Sequence, residues 1–148
     1  MKIKLSFAFL VSSVMLAGAE FKLTEQGKPV CTIVIDKQAG PVEKHAASEL
    51  ALFLGKISGG GKPAVETAPV KGKYPVSFAL TKDKRVADEG FMVKAGEDGL
   101  IIFGKEPIGM LYGAYHILKK YGGIRWLTPG DDGEYFTVRK TISVPQGE

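Results

Sequence analysis

Val30-Cys31-Thr32-Ile33-Val34-Ile35 is β-branched and almost continuously apolar. Such a run reads as a strand buried on both faces. Leu100-Ile101-Ile102-Phe103 repeats the pattern. Strands of this kind need a covering layer on each side of their sheet, and few folds supply one.

The rest of the chain offers two helices for that task. Pro41 suits the first turn of a helix, where its missing N–H is no loss. Val42, Ala46, Leu50, Phe53, Leu54 and Ile57 then recur at helical spacing, and Ser58-Gly59-Gly60-Gly61 ends the segment. Pro107 opens a second helix with Ile108, Leu111, Tyr112, Tyr115 and Leu118 along its stripe. Lys119 and Lys120 fall in its last turn, where cations complement the dipole, and Gly122-Gly123 closes it. Gly109 and Gly113, four apart, let this helix sit close to a sheet.

Val76, Phe78 and Leu80 alternate with smaller residues as a strand does, and residues 90–104 read as a hairpin turning at Glu97-Asp98-Gly99. Residues 124–127 are short and extended, and residues 135–144 hold one more strand or two. The expected fold is α+β, in two layers, with the order β-α-β-β-β-α-β. A mixed sheet of about five strands carries two helices on one face. Its other face then requires a partner domain or partner protein, since two helices cover only one side.

The 148 residues suit a single domain. Lys2 and Lys4 precede an apolar stretch from Leu5 to Leu16, too short to span a bilayer, and Ala17-Gly18-Ala19 is a small-x-small cleavage site. Residues 1–19 therefore read as a signal peptide and residues 20–148 as the mature domain. It is expected in the periplasm or outside a bacterial cell, with no membrane attachment after cleavage. Cys31 is the only cysteine, so an internal disulfide is excluded, and the absence of Asn excludes N-glycosylation. The net charge of +4 is less basic than it looks: removing Lys2 and Lys4 from the 20 Lys and Arg leaves 18 against 16 acidic side chains.

Most chemical motifs fail. His45 and His116 lie on different helices with no second His or Cys at ligand spacing, so no metal or other cofactor is expected. Gly59-Gly60-Gly61-Lys62 follows a helix rather than a strand, and Pro63 stands where a phosphate loop needs Ser or Thr. No G-x-S-x-G elbow occurs. Lys82-Asp83-Lys84-Arg85 is a broken charge run rather than a basic stripe with interleaved aromatics, so no nucleic-acid partner is expected. Asp88/Glu89 and Asp131/Asp132 with Glu134 are paired carboxylates, but Asp beside Gly130 and Gly133 is ordinary turn chemistry.

Gly104-x4-Gly109-x3-Gly113-x-Tyr115-x2-Leu118, followed by Gly123-Ile124-Arg125-Trp126-x2-Pro129-Gly130, resembles the N-terminal domain of α-glucuronidases of the glycoside hydrolase family 67 type. It is also similar to the second domain of β-N-acetylhexosaminidases. Residues 46–59 fit the same pattern, A-x-E-L-x-x-(F/Y)-L-x-x-(I/L)-(S/T)-G, and the resemblance covers nearly all of the mature chain. In such enzymes a small α/β domain precedes a catalytic (β/α)8 barrel that carries the acid and base. The resemblance thus implies a non-catalytic accessory domain in polysaccharide breakdown, reaching Glu148 about where a barrel would begin. No catalytic residue is assigned. The alternative is a stand-alone carbohydrate-binding or protein-interaction module.

Arg125 and Trp126 are the candidate substrate-binding residues. An indole face stacks on a sugar ring and a guanidinium fork matches a carboxylate, so an acidic oligosaccharide is the expected small-molecule partner. The competing role is plain packing for Trp126 and an ion pair from Arg125 to Asp131 or Asp132.

Overall fold

The structure, a computed structural model, describes residues 18–147, so all but the last two residues of the expected leader lie outside the described residues. In chain order the elements are β1 (Glu20–Glu25), β2 (Lys28–Pro29), β3 (Cys31–Val34), α1 (Pro41–Ser58), β4 (Val65–Glu66), β5 (Tyr74–Leu80), β6 (Phe91–Ala95), β7 (Leu100–Gly104), α2 (Pro107–Ile117), β8 (Arg125–Trp126), β9 (Glu134–Tyr135) and β10 (Ile142–Pro145).

The main sheet has five strands in the order β4-β3-β5-β7-β6. Its first four run parallel, and β6 closes the edge as the antiparallel half of the expected hairpin, Phe91 facing Gly104 and Ala95 facing Leu100. Both helices lie on one side of this mixed sheet, giving the expected α+β fold. Pro stands at the start of each helix, and each helical run ends on a left-handed glycine, Gly59 after α1 and Gly123 after a widened π turn over Leu118–Gly122.

The fifth strand is not the one the sequence pattern suggests. Val65–Glu66, inside the expected loop, takes that place beside β3. The C-terminal residues form two strands, and neither joins the main sheet. β9 pairs with β8 in a two-stranded ribbon, while β10 pairs with β1, which has β2 on its other edge. The sequence reading has no strand before Val30. Yet Phe21 and Leu23 alternate with Lys22 and bury completely against Ile142 and Val144 in the common core. Where the β1–β10 register shifts, Thr24 is buried but satisfied. Its hydroxyl donates to the Lys140 carbonyl at 3.3 Å and accepts from the Ile142 N–H at 3.1 Å.

The core lies between the helices and the sheet. Leu50, Leu54 and Ile57 of α1 meet Ile33, Val76, Leu100 and Ile102, all without solvent exposure. Each such side chain contributes roughly 2 kcal/mol by leaving water. α2 reaches the sheet closely because of its glycines. A Cβ on Gly113 would collide with Ile102, and one on Gly109 with the backbone of Gly90. Cys31 sits in this core, and burial pushes its thiol up to about 12.

The other sheet face is different. Strand alternation sends Val34, Ser77, Ala79, Met92, Lys94, Ile101 and Phe103 away from the helices, and their registers set them side by side. Met92, Ala79, Ile101 and Phe103 stay partly exposed there, around a shallow depression of about 360 Å³ that Ile101 and Phe103 help to line.

Candidate functional site

Arg125 and Trp126 form β8, held to β9 by the pairs Arg125–Tyr135 and Trp126–Glu134. This ribbon lies along α1 and α2. Trp126 is partly buried and meets two rings edge-on, Phe53 of α1 at 5.1 Å and Tyr115 of α2 at 5.3 Å. Edge-to-face pairs of this kind fix a ring's orientation as well as burying it. The packing role expected for Trp126 is therefore present, and the ring still lines a cavity on each side.

The first cavity is a groove of about 920 Å³, near the top of the ordinary range of ~300–1,000 Å³ for ligand pockets. Trp126, Tyr115, Phe91 and His116 wall it, with the Phe91 and His116 rings 5.1 Å apart. Tyr112, Lys119, Lys120 and Arg125 complete the lining, which holds no carboxylate among the described residues. The π turn carries both lysines, and Lys120 reaches back over the Tyr121 ring at 5.3 Å. The Arg125 side chain is exposed and makes no hydrogen bond or ion pair among the described residues.

The second cavity, about 570 Å³, is charged in another way. Glu49, Phe53 and Lys56 share one face of α1, at i, i+4 and i+7. Lys56 Nζ donates to Glu134 Oε2 at 2.8 Å and lies 3.8 Å from Asp131, so Asp131 is paired with Lys56 rather than with Arg125. Those carboxylates, Glu134 above all, hold the Lys56 ammonium above its usual range. Tyr115 Oη donates to Glu49 Oε2 at 2.9 Å, tying α2 to α1. Burial pushes the Tyr115 phenol up to about 12, and the Glu49 hydrogen bond and charge add to the shift.

The other sequence candidates separate. Asp131 and Asp132 sit in a 3-10 turn over Asp131–Gly133, as turn residues do. Asp88 pairs with Lys105 at 2.8 Å, which holds its carboxyl below the usual range. Gly59 caps α1, its N–H donating to the Gly55 carbonyl. Among the described residues no three His, Cys, Asp or Glu converge as metal ligands, and no helix is long and apolar enough to cross a membrane.

Sequence reasoning names two of the groove's residues and misses the rest. Tyr112 and Tyr115 read as core stripe, and Lys119 and Lys120 as dipole complements. The signal was their shared face: Tyr112, Tyr115, His116 and Lys119 are three or four apart, and Tyr112 is 44% exposed.

Searched by sequence, the chain matches no family model and no curated protein. Compared by structure, it is similar to part of several β-N-acetylhexosaminidases. The Streptomyces coelicolor A3(2) GH20 β-N-acetylhexosaminidase aligns over 85% of this chain and 23% of its own, at 20% identity and a TM-score of 0.52. The Streptomyces plicatus β-hexosaminidase D313N mutant, in complex with GlcNAc, aligns over the same shares at 19% identity and a TM-score of 0.53. The Vibrio harveyi GH20 exo-β-N-acetylglucosaminidase, in complex with N-acetylglucosamine, aligns over 86% of this chain and 16% of its own, at 12% identity and a TM-score of 0.51. The shared property is the fold, and this chain spans a quarter or less of each of these proteins.

Proposed function

We propose that this chain is a non-catalytic α/β accessory domain that serves carbohydrate breakdown by resting on a larger body. The observation that carries the reading is the sheet face left without a helix, apolar at Met92, Ile101 and Phe103. A partly exposed apolar surface of this kind marks an interface more often than a free surface. The fold shared with a fraction of the hexosaminidase chains supports the carbohydrate assignment. Within that class, the motif around Gly104–Gly130 favours the α-glucuronidase type, normally joined to a (β/α)8 barrel. The leader expected over residues 1–19 puts the domain in the periplasm or outside the cell.

Two measurements test this reading. The purified chain is assayed on chromogenic aryl glucuronides and aryl N-acetylhexosaminides, where no turnover above blank is expected. Turnover that one carboxylate exchange, such as Glu134→Gln, abolishes would contradict a non-catalytic role. For the bare face, Phe103→Asp is expected to lower binding of an apolar dye while leaving the melting temperature nearly unchanged. A steep drop in melting temperature would mean that the chain covers Phe103 itself, because an unpaired buried carboxylate is costly.

A further inference from the structure

We propose that the fold locks its own processing site: the pairing of β1 with β10 shields the Ala19–Glu20 bond, so the leader is removed before the last strand docks and not after. The inference rests on the leader reading above, residues 1–19 ending in Ala17-Gly18-Ala19, and adds to it an order of events.

The bond to be cut lies at the first residue of β1. Its cleavage is a hydrolysis. Water gives OH to the Ala19 carbonyl carbon and H to the Glu20 nitrogen, the bond between them breaks, and an Ala19 carboxylate and a Glu20 ammonium result. A peptidase that takes its substrate as an added strand pairs with the backbone edge around the bond, and oxyanion donors must reach the carbonyl oxygen under attack. Both demands meet groups that the fold already uses. The Ala19 carbonyl oxygen accepts the Gln146 N–H at 2.9 Å. Past the bond the backbone is committed to β10, with Glu20 facing Pro145, Phe21 facing Val144 and Lys22 facing Ser143. Ser143 Oγ donates to Glu20 Oε2 at 2.8 Å.

Side chains hold the strand down as well. Phe21, the second residue past the bond, is 3% exposed and meets the Tyr74 ring edge-on at 5.9 Å. Val144 opposite it is fully buried. Just beyond β10, the Gly147 N–H donates to the Ala95 carbonyl at 2.9 Å, so the segment covering the bond is anchored to β6. Lifting residues 19–21 into a cleft therefore breaks rungs to β10 and draws Phe21 out of the core. When such an opening is rare, its population sets the rate of cutting. β10 is the last strand along the described residues. The bond stays open until that strand is free to pair, which gives leader removal its window.

The test uses the full chain, residues 1–148. It is diluted from urea into detergent micelles with a bacterial leader peptidase that cuts after small-x-small, added either at the moment of dilution or once refolding is complete. Mass spectrometry is expected to find a product beginning at Glu20 in the first case. The refolded chain is expected to be cut about a hundredfold more slowly, the worth of unburying Phe21 together with its strand pairing. Val144→Ala, which thins the contact behind Phe21, is expected to speed cleavage of the refolded chain severalfold. Gln146→Pro, which removes the N–H on the Ala19 carbonyl and touches no core residue, is expected to speed it less. Melting curves of both variants establish that they are folded when the peptidase is added. Equal rates at dilution and after refolding overturn the lock and leave the leader reading intact, as does a refolded-chain rate that neither variant changes. No cleavage after Ala19 under either condition overturns the leader reading itself and the lock with it.

Discussion

Two cavities share one wall, and the difference between them lies in how their charges are answered. On one side of Trp126 and Tyr115, Lys56 meets Glu134 and Asp131, and the phenol of Tyr115 meets Glu49. On the other side Arg125 has no such partner among the described residues. A chain gains little by ordering an unanswered cation beside a concave aromatic surface, whereas answered charges tie α1, α2 and the β8–β9 ribbon together. Internal neutralisation ties the second cavity into the packing of α1, α2 and the β8–β9 ribbon.

The strongest way to break this contrast is to remove the wall. Trp126→Ala strips a partly buried indole from Phe53 and Tyr115 and merges the two cavities. It is expected to cost about 3 kcal/mol of stability, read as a shift in denaturant midpoint, and to remove binding of the acidic oligosaccharide expected at Arg125 and Trp126. A stability loss near zero would mean that the edge-on contacts carry little of the packing. Reversing charge at the open cavity comes next. Arg125→Glu is expected to lower anionic-saccharide affinity by about tenfold or more while moving stability by less than about 0.5 kcal/mol. The mirror experiment in the neutralised cavity has the opposite signature. Glu134→Gln is expected to cost at most about 1 kcal/mol and to leave saccharide affinity unchanged.

The smallest effect is an alkaline one. The unfolded chain releases a tyrosine proton near 10.0, but the folded chain holds that of Tyr115 up to about 12. Between those values the unfolded state binds fewer protons, so stability falls as pH rises. The contribution is complete below about pH 10 and is lost as pH passes through 12. Cys31, held up to about 12 by burial, acts in the same direction from a lower starting point. Melting temperatures of the wild type and Tyr115→Phe from pH 9 to 12 should converge as pH rises, and parallel curves would contradict a phenol held above its usual range by burial and Glu49.

Much of the fold was legible because its punctuation is strong. Pro41 and Gly59 bound α1, Pro107 and Gly123 bound α2 with its terminal turn, and the hairpin forms across Gly90–Gly104 as its alternation implies. The apolar-on-both-sides runs also carried true information, since Ile102 faces the helices while Ile101 and Phe103 face away. What escaped was set by long-range pairing. Val65–Glu66 has only two strand residues, and β1 is stabilised by β10, more than a hundred residues downstream. No local pattern announces such partners. The site was half legible for the same reason. Arg125 and Trp126 stand out as residue types, but Lys119 and Tyr112 join them only through the π turn and the placing of the ribbon across two helices.

The most direct test of unequal cavities is a residue-resolved titration: amide and indole NMR shifts of isotope-labelled protein as an anionic saccharide is added. The account predicts saturable shifts at the Trp126 indole, Tyr112, Lys119 and Arg125, with Leu52, Asp131 and Glu134 still. Shifts centred on Asp131 and Leu127, or on the bare sheet face around Phe103, would contradict it.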